Sequence, residues 1–259
     1  MLYKSFVYLL LFCISFSIQA QTVLKVAYDT DIQFPYYLGQ TSQVLTHNPG
    51  AIVELIRLLE GKIPGLKIEL VRYPWKRCLR NLKEGYVDAV FNSSFKEERY
   101  QFGHYPMKGG VVDVDRRITT MSYYFYKKKE TVFSWNGKTV SDTTMNIGAP
   151  LGFSIVDDLN RMNLKVVQTH ATLSNLQKLL RNMVRVVALQ DITGDYYLKH
   201  FNQFQGLVKV QPAIKTKPYY LMISHQFKQN NSELSEEIWD ELAKLRKEKL
   251  ANLTAKYLH

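Results

Sequence analysis

Short apolar runs alternate with amphipathic stretches through the first half of the chain. Three of the runs have strand length and comprise Val23–Tyr28, Leu66–Val71 and Val87–Phe91. Between them lie two stretches whose apolar residues recur at helical spacing, Ala51–Glu60 and a segment that opens at Pro74. The second stretch places four apolar side chains on one helical face, at Trp75, Cys78, Leu79 and Leu82. This order of strands and helices predicts an α/β unit with right-handed crossovers.

A similar order of elements recurs in the second half of the chain. Its strand-length runs comprise Met145–Ala149, Leu164–Gln168 and Val184–Leu189. Ser154 precedes the first predicted helix of this unit, and Asp157 lies three residues after Ser154. This spacing predicts a capping box. Aromatic-rich strands at Tyr123–Tyr126 and Tyr219–Ile223 flank the unit, and they are natural places for the chain to cross between two lobes. A helical pattern then covers Ser232–Leu258.

The N-terminal residues have the features of a secretory signal. Lys4 supplies a positive charge, Phe6–Ile14 is a run of nine apolar residues, and Ala20 is a small residue before a predicted cut at Gln21. Such a run is too short to span a bilayer core of about 30 Å as a helix. We therefore expect residues 1–20 to be a cleaved signal peptide and the mature protein to lie in the periplasm. An uncleaved membrane anchor is the alternative.

The charge balance leaves several partners open. Lysine and arginine number 34 against 23 aspartate and glutamate residues, a formal net charge of +11. A surplus of this size suits nucleic acid, an anionic membrane surface or an acidic ligand. Export and the scattered placement of the positive residues argue against nucleic acid. Cleavage of the signal would leave Cys78 as a single thiol, so an internal disulfide is not expected.

Signatures of metal or cofactor chemistry are weak in this sequence. The six histidines show none of the spacings of metal-binding motifs, and no glycine-rich phosphate loop is present. The sequence therefore predicts no metal, no cofactor and no catalytic residue.

Several short motifs follow one another in a familiar order. They are Phe34-Pro35-Tyr36-Tyr37 after the first strand, Gly85-Tyr86-Val87-Asp88-Ala89, Lys96-Glu97-Glu98-Arg99 and Gly152-Phe153-Ser154. In this order and over about residues 24–258, the chain resembles the bacterial family 3 periplasmic solute-binding proteins, which serve polar amino-acid transporters. The resemblance implies an α/β periplasmic-binding-protein type II fold. Two lobes, each a sheet flanked by helices, would be joined by two hinge strands. Lobe 1 would comprise 22–125 plus 219–259, and lobe 2 would comprise 126–218.

The resemblance also implies a ligand site between the lobes. In relatives, an arginine at the position of Arg99 holds the α-carboxylate of the ligand, and an acid at the position of Asp191 holds its α-ammonium. Aromatic side chains near Tyr36 and Trp75 would pack on the ligand. Asn92-Ser93-Ser94 replaces the usual small polar run of the family, and Ser93 and Ser94 join the candidate set.

The residue chemistry agrees with these roles and leaves alternatives open. The planar fork of an arginine matches both oxygens of a carboxylate. Asp191 follows a predicted strand end, where open α/β sheets bind ligands, and Ser154 offers a hydroxyl at a helix start. Alternatively, Arg99 is a solvated surface residue, and Asp191 and Ser154 are ordinary helix caps.

The sequence as a whole predicts a non-enzymatic binding protein. It would capture a small amino-acid-like ligand, or a similar carboxylate, and deliver it to an inner-membrane permease. One alternative is a ligand sensor that serves a membrane signalling receptor. Another is a dehydratase or lyase, because the fold implied by the resemblance also hosts such enzymes.

Overall fold

The computed structural model describes residues 21–258, so the predicted signal peptide lies outside the described residues. The strands are β1 (Thr22–Asp29), β2 (Leu66–Tyr73), β3 (Ala89–Ser94), β4 (Met107–Lys108), β5 (Val111–Val112), β6 (Thr119–Lys128), β7 (Asn146–Pro150), β8 (Lys165–Thr169), β9 (Val186–Gln190) and β10 (Leu207–Ile223). The α-helices are α1 (Ala51–Arg57), α2 (Trp75–Lys83), α3 (Ile155–Arg161), α4 (Thr172–Leu180), α5 (Asp191–His200), α6 (His225–Asn230) and α7 (Ser232–Leu258). The chain is therefore an α/β protein, as its sequence predicts.

Eight strands form one continuous sheet in the order β2-β1-β3-β10-β6-β9-β7-β8. At one end β1 pairs in parallel with β2 and β3, and at the other end β7 pairs in parallel with β8 and β9. The long antiparallel strands β6 and β10 lie between these two units. We call the β2-β1-β3 unit with its helices the first lobe and the β9-β7-β8 unit with its helices the second lobe. The aromatic-rich strands thus join the lobes, whereas the exact lobe boundaries stay predictions.

The first lobe is built on the apolar faces that the sequence predicts. Helix α2 buries Trp75, Cys78, Leu79 and Leu82. The stretch predicted as a helix over Ala51–Glu60 is α-helical to Arg57 and continues as a 3-10 helix over Leu58–Gly61. Helix α7 packs against α1, and its buried Trp239 donates a hydrogen bond from Nε1 to the Leu221 carbonyl at 2.9 Å. None of the helices within residues 21–258 has the length and apolar character needed to cross a membrane.

Strand β3 begins later than its apolar run predicts and reaches Ser94. Its pairing with β10 is interrupted by a register shift between Tyr220 and Met222, opposite Asn92. Asn92 has a φ of 56°, in the left-handed region that non-glycine residues rarely adopt. Bulges of this kind change the direction of a side chain within a strand. The polar end of β3 is thereby available to the site described below.

A buried arginine fastens the segment that follows β1. Arg72 is 1% exposed. It donates to the carbonyl of Asp29 from Nη2 at 3.0 Å, to that of Leu38 at 2.8 Å and to that of Gly39 at 2.7 Å. Its guanidinium also lies 4.9 Å from the ring centroid of Tyr28. Arg72 therefore fixes the loop that carries the first-lobe residues of the site.

Replacing this anchor should destabilise the fold. We expect Arg72→Met to lower the free energy of unfolding by about 2–4 kcal/mol, because the carbonyls of Asp29, Leu38 and Gly39 lose a charged donor. Urea denaturation measures the change. Arg57→Met is the matched control, since Arg57 also reaches a loop carbonyl, that of Leu45 at 3.1 Å, from a less buried position. An equal loss in both variants would contradict a special role for Arg72.

Candidate functional site

A cavity lies between the two lobes, beside the connecting strands. The space between its lining atoms is about 270 Å³, a volume that includes open solvent. Its lining comes from both lobes and from β6 and β10, and consists of Asp29, Gln33, Tyr37, Trp75, Asn92, Ser94, Arg99, Tyr123, Phe153, Ser154, Gln190 and Tyr219. A larger space of about 940 Å³, which includes open solvent, shares Asp29 and Trp75 with the cavity. The two spaces together form one candidate ligand site.

Arg99 supplies a buried positive charge to the cavity. It lies in a short 3-10 helix, Glu97–Gln101, and is 4% exposed. Its Nη1 donates to the Ser94 carbonyl at 2.8 Å, and its Nη2 donates to the Gly152 carbonyl at 3.1 Å. No carboxylate of residues 21–258 lies within 4.0 Å of it. A buried charge without a counter-ion is costly, so this guanidinium is suited to an anionic ligand.

Ser94 and Ser154 join the two lobes at the arginine. The Ser94 hydroxyl accepts from Arg99 Nη1 at 3.2 Å and donates to the Ser154 hydroxyl at 2.8 Å. Ser154 also accepts from Lys217 Nζ at 3.0 Å. The capping box predicted for Ser154 and Asp157 is wrong, because Ser154 makes no side-chain cap bond and Asp157 pairs with Lys96 instead. The Ser154 hydroxyl thus bonds to Ser94 and Lys217, which are distant in sequence, and not to the backbone of the helix as the capping rule predicts.

Asp29 supplies the acidic group of the cavity, and sequence reasoning missed it. It ends β1 and is 6% exposed. Burial raises the pKa of this carboxyl to about 7, against the opposing effect of the backbone N–H groups of Asp31 and Thr30. The strand-end rule that selected Asp191 applies equally to Asp29 and could have found it.

Neutral amides complete the lining. Asn92 Nδ2 donates to Gln33 Oε1 at 2.6 Å, Gln33 Nε2 donates to Gln190 Oε1, and Gln190 Nε2 donates to the Tyr219 hydroxyl at 2.8 Å. The Gln33–Gln190 bond joins the first lobe to the second. Two buried polar atoms of the lining have no partner among the described residues, the Trp75 Nε1 donor and the Asn92 Oδ1 acceptor. Buried polar atoms are normally hydrogen-bonded, which makes both atoms candidate ligand contacts.

The cavity brings together four of the seven residues predicted from sequence, namely Trp75, Ser94, Arg99 and Ser154. Ser93 lies behind them, where its hydroxyl pairs with that of Tyr105 at 2.8 Å. The Tyr36 hydroxyl accepts from Thr119 at 3.3 Å, and the neighbouring Tyr37 lines the cavity instead.

Asp191 is the first residue of α5, and its Oδ1 accepts from the Ile192 N–H at 2.9 Å. The preceding residue, Gln190, lines the cavity in its place. Direct ligand contacts by Ser93, Tyr36 and Asp191 stay predictions.

The family of the chain follows from a match over most of its length. Residues 24–259 match the model for the bacterial extracellular solute-binding proteins, family 3. The chain belongs to this family. This match confirms the resemblance inferred from the motif order. No curated protein matches the chain at the sequence level.

Solved structures agree with this assignment at the level of the fold. A histidine kinase sensor domain with similarity to periplasmic binding proteins has a TM-score of 0.73 at 19% identity and covers 91% of this chain and 96% of its own. A mutant of ArgBP from T. maritima has a TM-score of 0.70 at 16% identity, with 91% and 95% covered. An ancestral amino-acid-binding protein, a precursor of cyclohexadienyl dehydratase, has a TM-score of 0.68 at 16% identity, with 92% and 96% covered. The two-lobed type II periplasmic-binding fold is thus confirmed.

Metal binding finds no support in the part of the chain that the structure describes. Within residues 21–258, no group of three or more histidine, cysteine, aspartate or glutamate side chains could hold a metal ion. The cavity is therefore described by its own charged and polar side chains.

The buried Asp29 carboxyl should make the unliganded protein pH-sensitive. Because its pKa is raised to about 7, the folded state keeps a proton that the unfolded state releases near pH 4, so stability falls as the pH rises from about 4 to 7. Asp29→Asn should remove this loss and stabilise the unliganded protein above pH 7 by up to about 4 kcal/mol. Chemical denaturation at several pH values measures the difference between variant and wild type.

The control for this prediction is Asp115→Asn, which makes the same charge change at an exposed residue. It should leave the pH profile almost unchanged. A profile of Asp29→Asn that runs parallel to the wild-type profile would contradict the assignment.

Proposed function

We propose that this protein captures a small amino-acid-like ligand in the cavity between its lobes, as the binding component of a transport system. The observation that carries the proposal is the Arg99 guanidinium, which is buried in the cavity with no carboxylate partner among residues 21–258. A ligand carboxylate would supply the missing counter-charge. It would also accept bonds from the planar guanidinium fork.

The opposite charge of the ligand has its own candidate partners. Asp29 lines the cavity and the adjoining space, and Asp31 lines the adjoining space. A ligand cation near Asp29 would favour the ionised carboxylate and offset the cost of its burial. The free Oδ1 of Asn92 adds a neutral acceptor. A ligand with one carboxylate and at least one cationic group therefore fits this site, and amino acids have that composition.

The known relatives support the same class of ligand. ArgBP from T. maritima has been solved in an arginine-bound form, and arginine carries a carboxylate, an ammonium and a guanidinium. Sequence identities below 20% leave the choice of amino acid to the residues of this cavity.

Capture would involve closure of the lobes over the ligand. Direct contacts cross the cleft away from Arg99. The Asp31 carboxylate accepts from the Thr172 N–H at 2.9 Å, and the rings of Phe34 and Tyr196 stack with centroids 3.9 Å apart. These contacts would break for a ligand to enter and re-form around it. Closure is then a two-state equilibrium that contacts to both lobes bias.

Export and a membrane partner complete the proposal. The family is extracellular, and a cleaved segment over residues 1–20 would deliver the chain to the periplasm. An inner-membrane permease would receive the ligand there. A sensor role, in which the occupied protein activates a membrane receptor, is supported by the fold shared with a histidine kinase sensor domain.

One observation favours a second, enzymatic candidate. A carboxyl with a pKa of about 7 in a ligand cavity is suited to general acid–base work, and Asp29 has this property. A dehydratase or lyase acting on a carboxylated substrate would use it. Turnover of prephenate or arogenate by the purified protein, lost in Asp29→Asn, would favour this candidate over simple binding.

A thermal-shift screen tests the binding proposal. The mature protein is scanned against the twenty standard amino acids, polyamines and organic acids, and a ligand at 100 times its Kd should add about 2.7 kcal/mol of stability. We expect an amino acid among the hits. Arg99→Gln should weaken its binding at least ~100-fold, because two charge-assisted bonds are lost.

Arg181→Gln is the control for the Arg99 variant, since it removes the same charge from an exposed position. Its affinity for the hit should equal that of the wild type. Unchanged affinity in Arg99→Gln, or a screen without any carboxylated hit, would overturn the proposed function.

A further inference from the structure

We propose that Lys217 is a positioning residue that makes the Ser154 hydroxyl a donor to the ligand, and so lets the site distinguish a carboxylate from its carboxamide. This inference rests on the proposed function, because it assigns a role in reading the ligand carboxylate. Lys217 does not line the cavity. It lies behind Ser154, in an outer groove that Asp157, Asp158 and Arg161 also line.

The Lys217 ammonium is held in one orientation. It donates to the Ser154 carbonyl at 3.1 Å and to the Ser154 hydroxyl at 3.0 Å, and it pairs with the Asp158 carboxylate. These three acceptors match the three N–H bonds of an ammonium. The side chain is 12% exposed, and Asp158 is also held by Arg161 Nη2 at 2.6 Å. Lys217 is therefore a fixed donor to Ser154.

Counting lone pairs then fixes the direction of the Ser154 proton. A serine hydroxyl has two acceptor sites and one hydrogen. Ser94 donates to one site at 2.8 Å and Lys217 donates to the other. Ser94 accepts from Arg99 Nη1 at 3.2 Å and directs its own hydrogen to Ser154. No acceptor for the Ser154 hydrogen occurs among residues 21–258, and Ser154 lines the cavity. Its hydrogen is thus left for a ligand.

This arrangement makes the anion end of the cavity a set of donors. A carboxylate has two acceptor oxygens, which suit Arg99 and Ser154 together. A carboxamide has one acceptor oxygen and one NH₂ group, which is a donor. Its NH₂ group would therefore face a donor, either the Arg99 guanidinium or the Ser154 hydroxyl, and could not bond to it. Without Lys217, the hydroxyl of Ser154 has a free lone pair and can accept from the NH₂ group. Lys217 therefore increases discrimination against the neutral analogue without touching either ligand.

The test compares an amino acid with its own α-carboxamide. The probes are the tightest-binding amino acid of the thermal-shift screen and its carboxamide, titrated by calorimetry. We expect Lys217→Met to reduce the ratio of the two affinities about ten-fold, mostly by weakening the carboxylate. Lys217→Arg, which keeps a charged donor beside Asp158, should restore most of the ratio. A merely structural role would weaken both probes equally and leave the ratio unchanged.

A double-mutant cycle separates action through Ser154 from a general effect of charge. Ser154→Ala alone should lower the ratio of the affinities for the amino acid and its carboxamide. Adding Lys217→Met to the Ser154→Ala variant should lower this ratio little further. Arg161→Gln removes the other partner of Asp158 without touching Ser154, and it should keep the wild-type ratio.

The outcomes of these experiments are distinct. If the fold-changes in the affinity ratio caused by Ser154→Ala and Lys217→Met multiply in the double variant, the two residues act independently and the role of Lys217 is wrong. The same holds if Lys217→Met keeps the wild-type ratio. In both cases the proposed function stands. If no amino acid binds the wild-type protein, the proposed function fails and this inference fails with it.

Discussion

The ligand site depends on the buried charge of Arg99, which has no carboxylate partner among the described residues. Arg99 is buried between the lobes, its bonds go to carbonyls and hydroxyls, and no acid of residues 21–258 neutralises it. Asp29 lines the same cavity, and its burial there is also costly, because burial raises the pKa of its carboxyl. Both groups would be more stable in water or in a mutual ion pair. The proposed ligand, which carries both charges, would supply each group with a partner.

The fold keeps these two charges apart and in place. Asp29 ends β1 in the first lobe, and Arg72 fixes the segment that follows it through bonds to the carbonyls of Asp29, Leu38 and Gly39. Arg99 belongs to the same lobe but reaches the Gly152 carbonyl of the second lobe. Gly152 has a φ of 76°, a conformation that favours glycine, at the turn that leads from β7 to α3. The lining of the site therefore comes from both lobes, which is what the proposed capture by closure requires.

Local patterns in the sequence account for the elements and for part of the site. The apolar periodicities locate β1, β2, α2 and α7, and the motif order led to Arg99, Trp75 and Ser94. The rest depends on contacts that no local rule contains. Gln33 and Gln190 meet across 157 positions of sequence, and Lys217 reaches Ser154 across 63. Strand-end reasoning selected Asp191, but Gln190, the last residue of β9, lines the cavity and Asp191 begins α5. Such a difference of one residue is set by packing, which periodicity alone does not specify.

We infer that Arg99 and Ser154 together bind the carboxylate of the ligand. A crystal structure of the protein with its tightest-binding amino acid would show whether they do. We expect the carboxylate oxygens to lie within hydrogen-bonding distance of Arg99 and the Ser154 hydroxyl, and a cationic group of the ligand to lie beside Asp29. A ligand bound outside the cavity, or one whose carboxylate contacts neither Arg99 nor Ser154, would show that this assignment is wrong.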